Sequence, residues 1–301
     1  ALGRGEAVTK TLQKEIVGPN DTAEVAVAGA IRVDVPRQVF IDALKDVKGF
    51  RNSGNLAIGI IQNPPQASDF AGVVLPKDDV KDLRKCKPGD CALKLAGDEL
   101  AELQSSINWK APDHAEQVNR LARKRLFMAM GEYVKQGTPA FALLEDKKKK
   151  VSLDQQLREM IESTPKLVAF GPELATYLLD YPNAELTSAE DVFFWTLKDF
   201  SLKPTVTVTH AVGYVPEGTG DAVVAWKQVY ASHYFNGGLS VTTYAKDGDT
   251  SYLVQLDRVR ADSLGGAFGG TKRGKMAGAM KKDLHKFLQE TRKGLRAAAG
   301  K

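Results

Sequence analysis

The sequence predicts an α+β fold, a bent antiparallel sheet gripping one long C-terminal helix, with a large helical insertion. Three stretches carry that expectation. Met276, Met280, Leu284, Phe287, Leu288 and Leu295 recur at three- and four-residue steps, with Lys275, Lys281, Lys282, Lys286, Arg292 and Lys293 between them. That is an amphipathic helix with a basic back, and such a stripe must be buried on another element. Just before it, from Pro204 to Arg260, β-branched and aromatic residues alternate with polar ones in four runs separated by turn signals. Between residues 97 and 202 the dominant period is helical. Residues 22–96 and 203–297 therefore read as one discontinuous domain, and 97–202 as the insertion.

Taken in order, residues 1–21 are polar and end in a Gly18-Pro19-Asn20-Asp21 turn. Val25, Val27, Ile31 and Val33 make a strand whose Ala26, Ala28 and Ala30 leave room for something to pack closely. Asp34 and Pro36 precede a short helix with Val39, Phe40, Ala43, Leu44 and Val47 on its stripe, ended by Gly49. Leu56, Ile58 and Ile60 predict a second strand, closed by Asn63-Pro64-Pro65, and Cys91 to Leu95 a third. Asp78 to Leu83 reads as a helical turn.

Leu100 and Leu103 mark one helix of the insertion, and Asp113 to Val134 a longer one. Thr138-Pro139 opens another that holds Phe141, Leu143 and Leu144. Ser152 and Pro172 open two more. Ser188, with Asp191 three residues on, predicts a last helix through Val192, Phe193, Trp195 and Leu197.

The final strands are Pro204 to Tyr214, Val223 to Phe235, Leu239 to Ala245 and Tyr252 to Arg260. Asn236-Gly237-Gly238 and Asp247-Gly248-Asp249 supply the tight turns between them.

At 301 residues the chain accommodates one large domain or a domain with an insertion. Hydrophobic residues at 43% and charged residues at 26% are ordinary for a globular protein. No apolar run reaches the length of a membrane span. The first residue is Ala rather than Met, which fits a processed chain and a removed signal peptide. The net charge of +5 is small but uneven, concentrated at Lys147 to Lys150 and from Lys272 to Lys301. Solubility explains both clusters, and attraction to an anionic membrane surface is the sharper reading. No recognised motif for nucleic acid accompanies the charge.

Cys86 and Cys91 flank a Pro88-Gly89 turn, within disulfide reach, which points to an oxidising, exported or periplasmic setting. Free thiols in a cytosolic hairpin are the alternative. A c-type haem site and a zinc site both lack their ligands.

The order of elements, with the aromatic meander and the long terminal helix, resembles the START-type helix-grip (SRPBCC) superfamily over Glu24 to Leu95 and Pro204 to Leu295. That resemblance implies a bent sheet wrapped round the C-terminal helix, with a hydrophobic ligand in the gap. The phrases Lys227 to Phe235 and Gly265 to Arg273 also resemble an uncharacterised group of secreted bacterial proteins. This second likeness implies export and no activity.

On this reading the ligand contacts are Val208, His210, Val212, Trp226, Tyr230, His233, Tyr244, Val254, Met280, Leu284 and Phe287. Phenol hydroxyls in an apolar pocket would orient a lipid, sterol or isoprenoid, although aromatics are common in strands for structural reasons alone. His210 and His233 sit on neighbouring strands. Placed together beside a carboxylate they would bind a metal or act as acid and base; otherwise they are hydrogen-bonded interior side chains. Lys227 is expected to snorkel to the rim, the alternative being contact with an anionic headgroup.

Gly265 to Lys272 lacks the spacing of a phosphate loop. No G-x-S-x-G, H-E-x-x-H or calcium-loop pattern occurs, and neither a cofactor nor a catalytic residue is assigned. The expected function is binding or carrying an apolar ligand. The alternatives are a cyclase or hydrolase of the same fold using His210 and His233, and an interaction scaffold without a ligand.

Overall fold

Strand and helix periods alternate along the chain, and the computed structural model shows how they assemble; it describes residues 2–12, 23–51, 54–138, 143–164, 167, 171–200 and 203–300. Among these, eight strands form one antiparallel sheet in the order β1-β2-β8-β7-β6-β5-β4-β3. The strands are β1 (Val8–Thr11), β2 (Glu24–Arg32), β3 (Asn55–Ile61), β4 (Glu190–Lys198), β5 (Thr205–Tyr214), β6 (Ala222–Ala231), β7 (Phe235–Asp247) and β8 (Thr250–Ala261). The helices are α1 (Arg37–Lys45), α2 (Val47–Arg51), α3 (Lys77–Leu83), α4 (Gly97–Ser106), α5 (His114–Gln136), α6 (Leu153–Glu162), α7 (Pro172–Asp180) and α8 (Gly269–Ala298). The fold is α+β, as predicted, with a bent sheet that does not close.

Both faces of the sheet are covered. One carries α8 and α1. There Leu284, Leu288 and Leu295 are buried against Val25, Val27 and Ile31 of β2. Close approach is set by Gly29, where a Cβ would lie 2.8 Å from Leu288 Cδ1 and 3.0 Å from the Val8 carbonyl. The close contact thus falls on the face of β2 that carries its large residues, opposite the alanines.

The other face carries α5, α6 and α7, whose Met130, Tyr133, Met160 and Leu174 meet Val206, Val208, Val212 and Val229. Helices α3, α4 and the start of α5 share a third cluster with the Cys86–Cys91 disulfide.

Several expectations need correction. The segment opening at Ser188 is strand β4, inside the stretch assigned to the helical insertion. It pairs with β3 and β5, for example Trp195 with Gly59 and Val208. Gly237 and Gly238 lie within β7, and the turn between β6 and β7 falls at Ser232 to Tyr234, with Tyr234 at φ 59°. Cys91 to Leu95 is not a strand; it follows an isolated Lys87–Asp90 bridge. Strand β1 lies in the stretch read as polar, for which no strand is expected. The first short helix is two, divided at Asp46. The Gly18–Asp21 turn and the residues 139–142 of the predicted Thr138-Pro139 helix lie outside the described residues, and Leu143 and Leu144 are not helical.

Candidate functional site

Helix α5 supplies most of one cavity wall because of its periodicity. Val118, Ala122, Arg125 and Ala129 follow one another at four-, three- and four-residue steps, so they share one face. That face looks into a cavity of ≈ 80 Å³, closed opposite by Val206, Tyr230 and Ser232 of the sheet side and flanked by Leu83, Leu93 and Leu103. The disulfide holds the turn that joins Leu83 to Leu93.

Two charges border this apolar space. Arg125 pairs with Glu99, whose Oε2 also accepts the Ala96 amide at 2.9 Å and so stays anchored at the start of α4. Arg125 Nη1 is buried without a hydrogen-bond partner among the described residues. Burial pulls the guanidinium below its ordinary pKa, partly offset by Tyr230 and Asp98. Tyr230 Oη donates to the Lys94 carbonyl at 3.3 Å, and burial pushes this phenol up to about 12.

A second cavity, ≈ 60 Å³, lies on the α8 side of the sheet between Ile41, Leu44 and Val47 of the α1–α2 pair and Val192, Ala211 and Trp226.

The predicted ligand contacts do not converge. Of the eleven, Tyr230 lines the larger cavity and Trp226 the smaller. Val208 and Val212 pack in the core beneath α5 to α7. On the opposite face, Tyr244 donates to the Val35 carbonyl at 2.7 Å and stacks on Phe40. Leu284 is buried there, and Met280 and Phe287 are half-buried beside it. Val254 faces solvent at 40% exposure.

The histidines occupy separate networks. His210 lies opposite Lys227 in the β5–β6 register, not opposite His233. Its Nε2 is 2.7 Å from Asp191 Oδ1, its Nδ1 is 2.8 Å from Tyr133 Oη, and Tyr177 donates to Asp191 Oδ2 at 2.6 Å. Burial drives the His210 pKa down to about 4, with Asp191 opposing. A neutral ring fits both bonds: Nε2–H donates to the carboxylate and Nδ1 accepts from the phenol. Burial pushes the Asp191 carboxyl up, yet the His210 and Tyr177 bonds and the Lys227 charge hold it below its ordinary value.

Lys227 is fully buried, contrary to the snorkelling expected of it. Its Nζ donates to the Leu178 carbonyl at 2.8 Å and stands 5.3 Å from the Tyr133 ring centre. Burial lowers its pKa to about 7. Tyr177, Asp191, His210 and Tyr133 form one hydrogen-bonded chain with Lys227 packed beside it, and neither cavity is lined by any of these residues.

His233 lies in the β6–β7 turn. Its Nε2 is 2.8 Å from Asp79 and its Nδ1 is 2.8 Å from the Ala92 carbonyl. Nearby, the buried Lys94 Nζ donates to Asn236 at 2.7 Å and Asp262 at 2.8 Å. These bonds pin the segment after the disulfide to β7 and to the approach to α8.

Among the described residues no group of three His, Cys, Asp or Glu side chains is placed to hold a metal ion. No described helix is long and apolar enough to cross a membrane. Sequence reasoning passed over Arg125, Glu99 and Leu93; the one available signal was a basic residue on the inner, otherwise apolar face of α5.

No family model matches the chain, and no curated protein does. Among solved structures, TTHA0849 from Thermus thermophilus is similar at 11% identity over 48% of this chain and 91% of that one. Its TM-score is 0.29, too low to bear on fold or function.

Proposed function

We propose that this protein binds a small apolar ligand, of the lipid or isoprenoid kind, in the cavity between α5 and the sheet. The observation that carries the reading is the lining: apolar side chains surround the space and two charges stand at its border. The site lies on the face away from α8, so the expected ligand position moves to the helical layer. The sheet order from β2 through β8 to β3, with α8 across one face, supports the START-type helix-grip resemblance for the scaffold. The Cys86–Cys91 disulfide supports an exported, periplasmic setting. The cyclase or hydrolase alternative needs His210 and His233 at one site, and each has its own carboxylate.

Mass spectrometry of an organic extract of the natively purified protein tests the reading, together with titration by the neutral fluorophore N-phenyl-1-naphthylamine. The expected result is a co-purifying apolar compound, and fluorophore binding that Ala122→Trp abolishes by filling the cavity. An empty extract, with fluorophore binding absent or unchanged by Ala122→Trp, would overturn it.

A further inference from the structure

The larger cavity differs at its two ends. Leu83, Leu93, Leu153 and Val206 are 1–3% exposed. The side chains of Arg125 and Glu99 are 20% and 30% exposed, so the charged pair marks the mouth. A guanidinium carries five N–H donors in a fixed plane. Glu99 engages one side of it, and Nη1 is left buried and unpartnered among the described residues. An unmet donor on a cationic group beside an apolar space is costly, and an anion is the partner that relieves it best. Glu99 meets Nη2 through Oε1 and the Ala96 amide through Oε2, and neither bond goes to Nη1.

We propose that the cavity receives an amphiphile with a carboxylate head, the head accepting from Arg125 Nη1 at the mouth and the tail lying along the α5 face. This inference rests on the cavity being a ligand site. The retained Glu99 selects the head. A singly charged, planar carboxylate meets the guanidinium edge that Glu99 leaves open. A phosphate monoester brings nearly two charges against the Glu99 carboxylate and is disfavoured. A neutral alcohol gains only a weaker, uncharged hydrogen bond.

Calorimetric titration of the whole chain with decanoate, decanol and decyl phosphate tests this. Decanoate is expected to bind about ten-fold more tightly than decanol, the difference of a charge-assisted over a neutral bond. Decyl phosphate is expected to be weaker than decanoate. Arg125→Met should bring decanoate and decanol to within about two-fold of each other while leaving decanol binding in place. Glu99→Gln, which keeps an oxygen for the Ala96 amide, should strengthen decanoate binding.

Equal binding of decanoate and decanol by the unaltered protein overturns the head-group assignment but leaves the cavity reading standing. Tighter binding of decyl phosphate overturns the choice of carboxylate. Failure of all three to bind overturns the cavity reading itself. Should Arg125→Met fail to fold, the decanoate-to-decanol ratio of the unaltered protein and the Glu99→Gln titration still decide.

Discussion

Tyr133 Oη lies 2.8 Å from His210 Nδ1, and because the Asp191 carboxylate at Nε2 can only accept, the phenol is the donor of that bond. With Nδ1 accepting, the ring carries its proton on Nε2 and hands it toward Asp191. His210 therefore stays neutral until its folded pKa of about 4, against an ordinary 6.5. Between those values the unfolded chain takes up a proton that the folded chain refuses. Stability is fully present above pH 6.5 and lost as the pH falls toward 4, by up to roughly 3 kcal/mol from this group. Denaturant titrations at pH 4 to 7 should show a shallower fall for His210→Gln; parallel curves would contradict this. Tyr133→Phe should cost about 1–3 kcal/mol, because it strands Nδ1 in the interior.

Lys227 gives a slope at the other end of the scale. Its folded pKa of about 7 lies below the ordinary 10.5 because the ammonium is buried. Above pH 7 the unfolded chain holds the proton more firmly, so stability should climb with pH, from 7 to where free tyrosines begin to ionise near 10. Lys227→Met removes the titrating group and should flatten that climb. Denaturation midpoints at pH 7, 8 and 9 measure it, and equal slopes for the two proteins would refute the assignment.

The seat of the C-terminal helix depends on Leu288 more than on its neighbour. Leu288 is wholly buried over Gly29, and Phe287 is half-buried. Leu288→Ala should cost about 2–5 kcal/mol, and Phe287→Ala clearly less. Gly29→Val should cost about 1–3 kcal/mol by pushing the helix off the strand. Urea melts of the three variants give the ranking, and a larger loss for Phe287→Ala would disprove it.

Glu24 binds two buried guanidiniums at once. It accepts from Arg258 Nε and from Arg260 Nε, and Arg258 continues to the Met160 carbonyl and Thr164. Glu24→Leu leaves the buried Arg258 without its anion and Arg260 with Glu159 alone, and should cost about 3–5 kcal/mol. Loss of the α6 attachment should appear as new proteolytic cleavage within residues 153–164; unchanged resistance would argue against the coupling.

How much of this was legible depended on whether an element has one wet face. The α8 stripe was legible because its basic back faces water. Strand β4 was not: Phe193 and Trp195 pack under the helical layer and Phe194 under the opposite cluster, so no polar alternation survives. Ser188 and Asp191 then imitated a helix cap, while Asp191 in fact serves His210.

Gly237 and Gly238 imitated a turn for a related reason. A Cβ on Gly237 would come 3.3 Å from Met160 Sδ, so the residue is small to admit α6. The cavity was illegible because its walls come from separated segments, brought together by α3 to α6 and the sheet. The Cys86–Cys91 bridge was legible because both partners flank one turn.

The layering described for the sheet has a consequence for exchange with deuterated solvent. Strands β6, β7 and β8 each have a partner on both sides and helices above or below, so their amides can open only when the sheet itself comes apart. Strands β1 and β3 border the sheet, and their outward amides are released by local fraying alone. Isotope uptake should therefore begin at the two margins and reach the middle strands last.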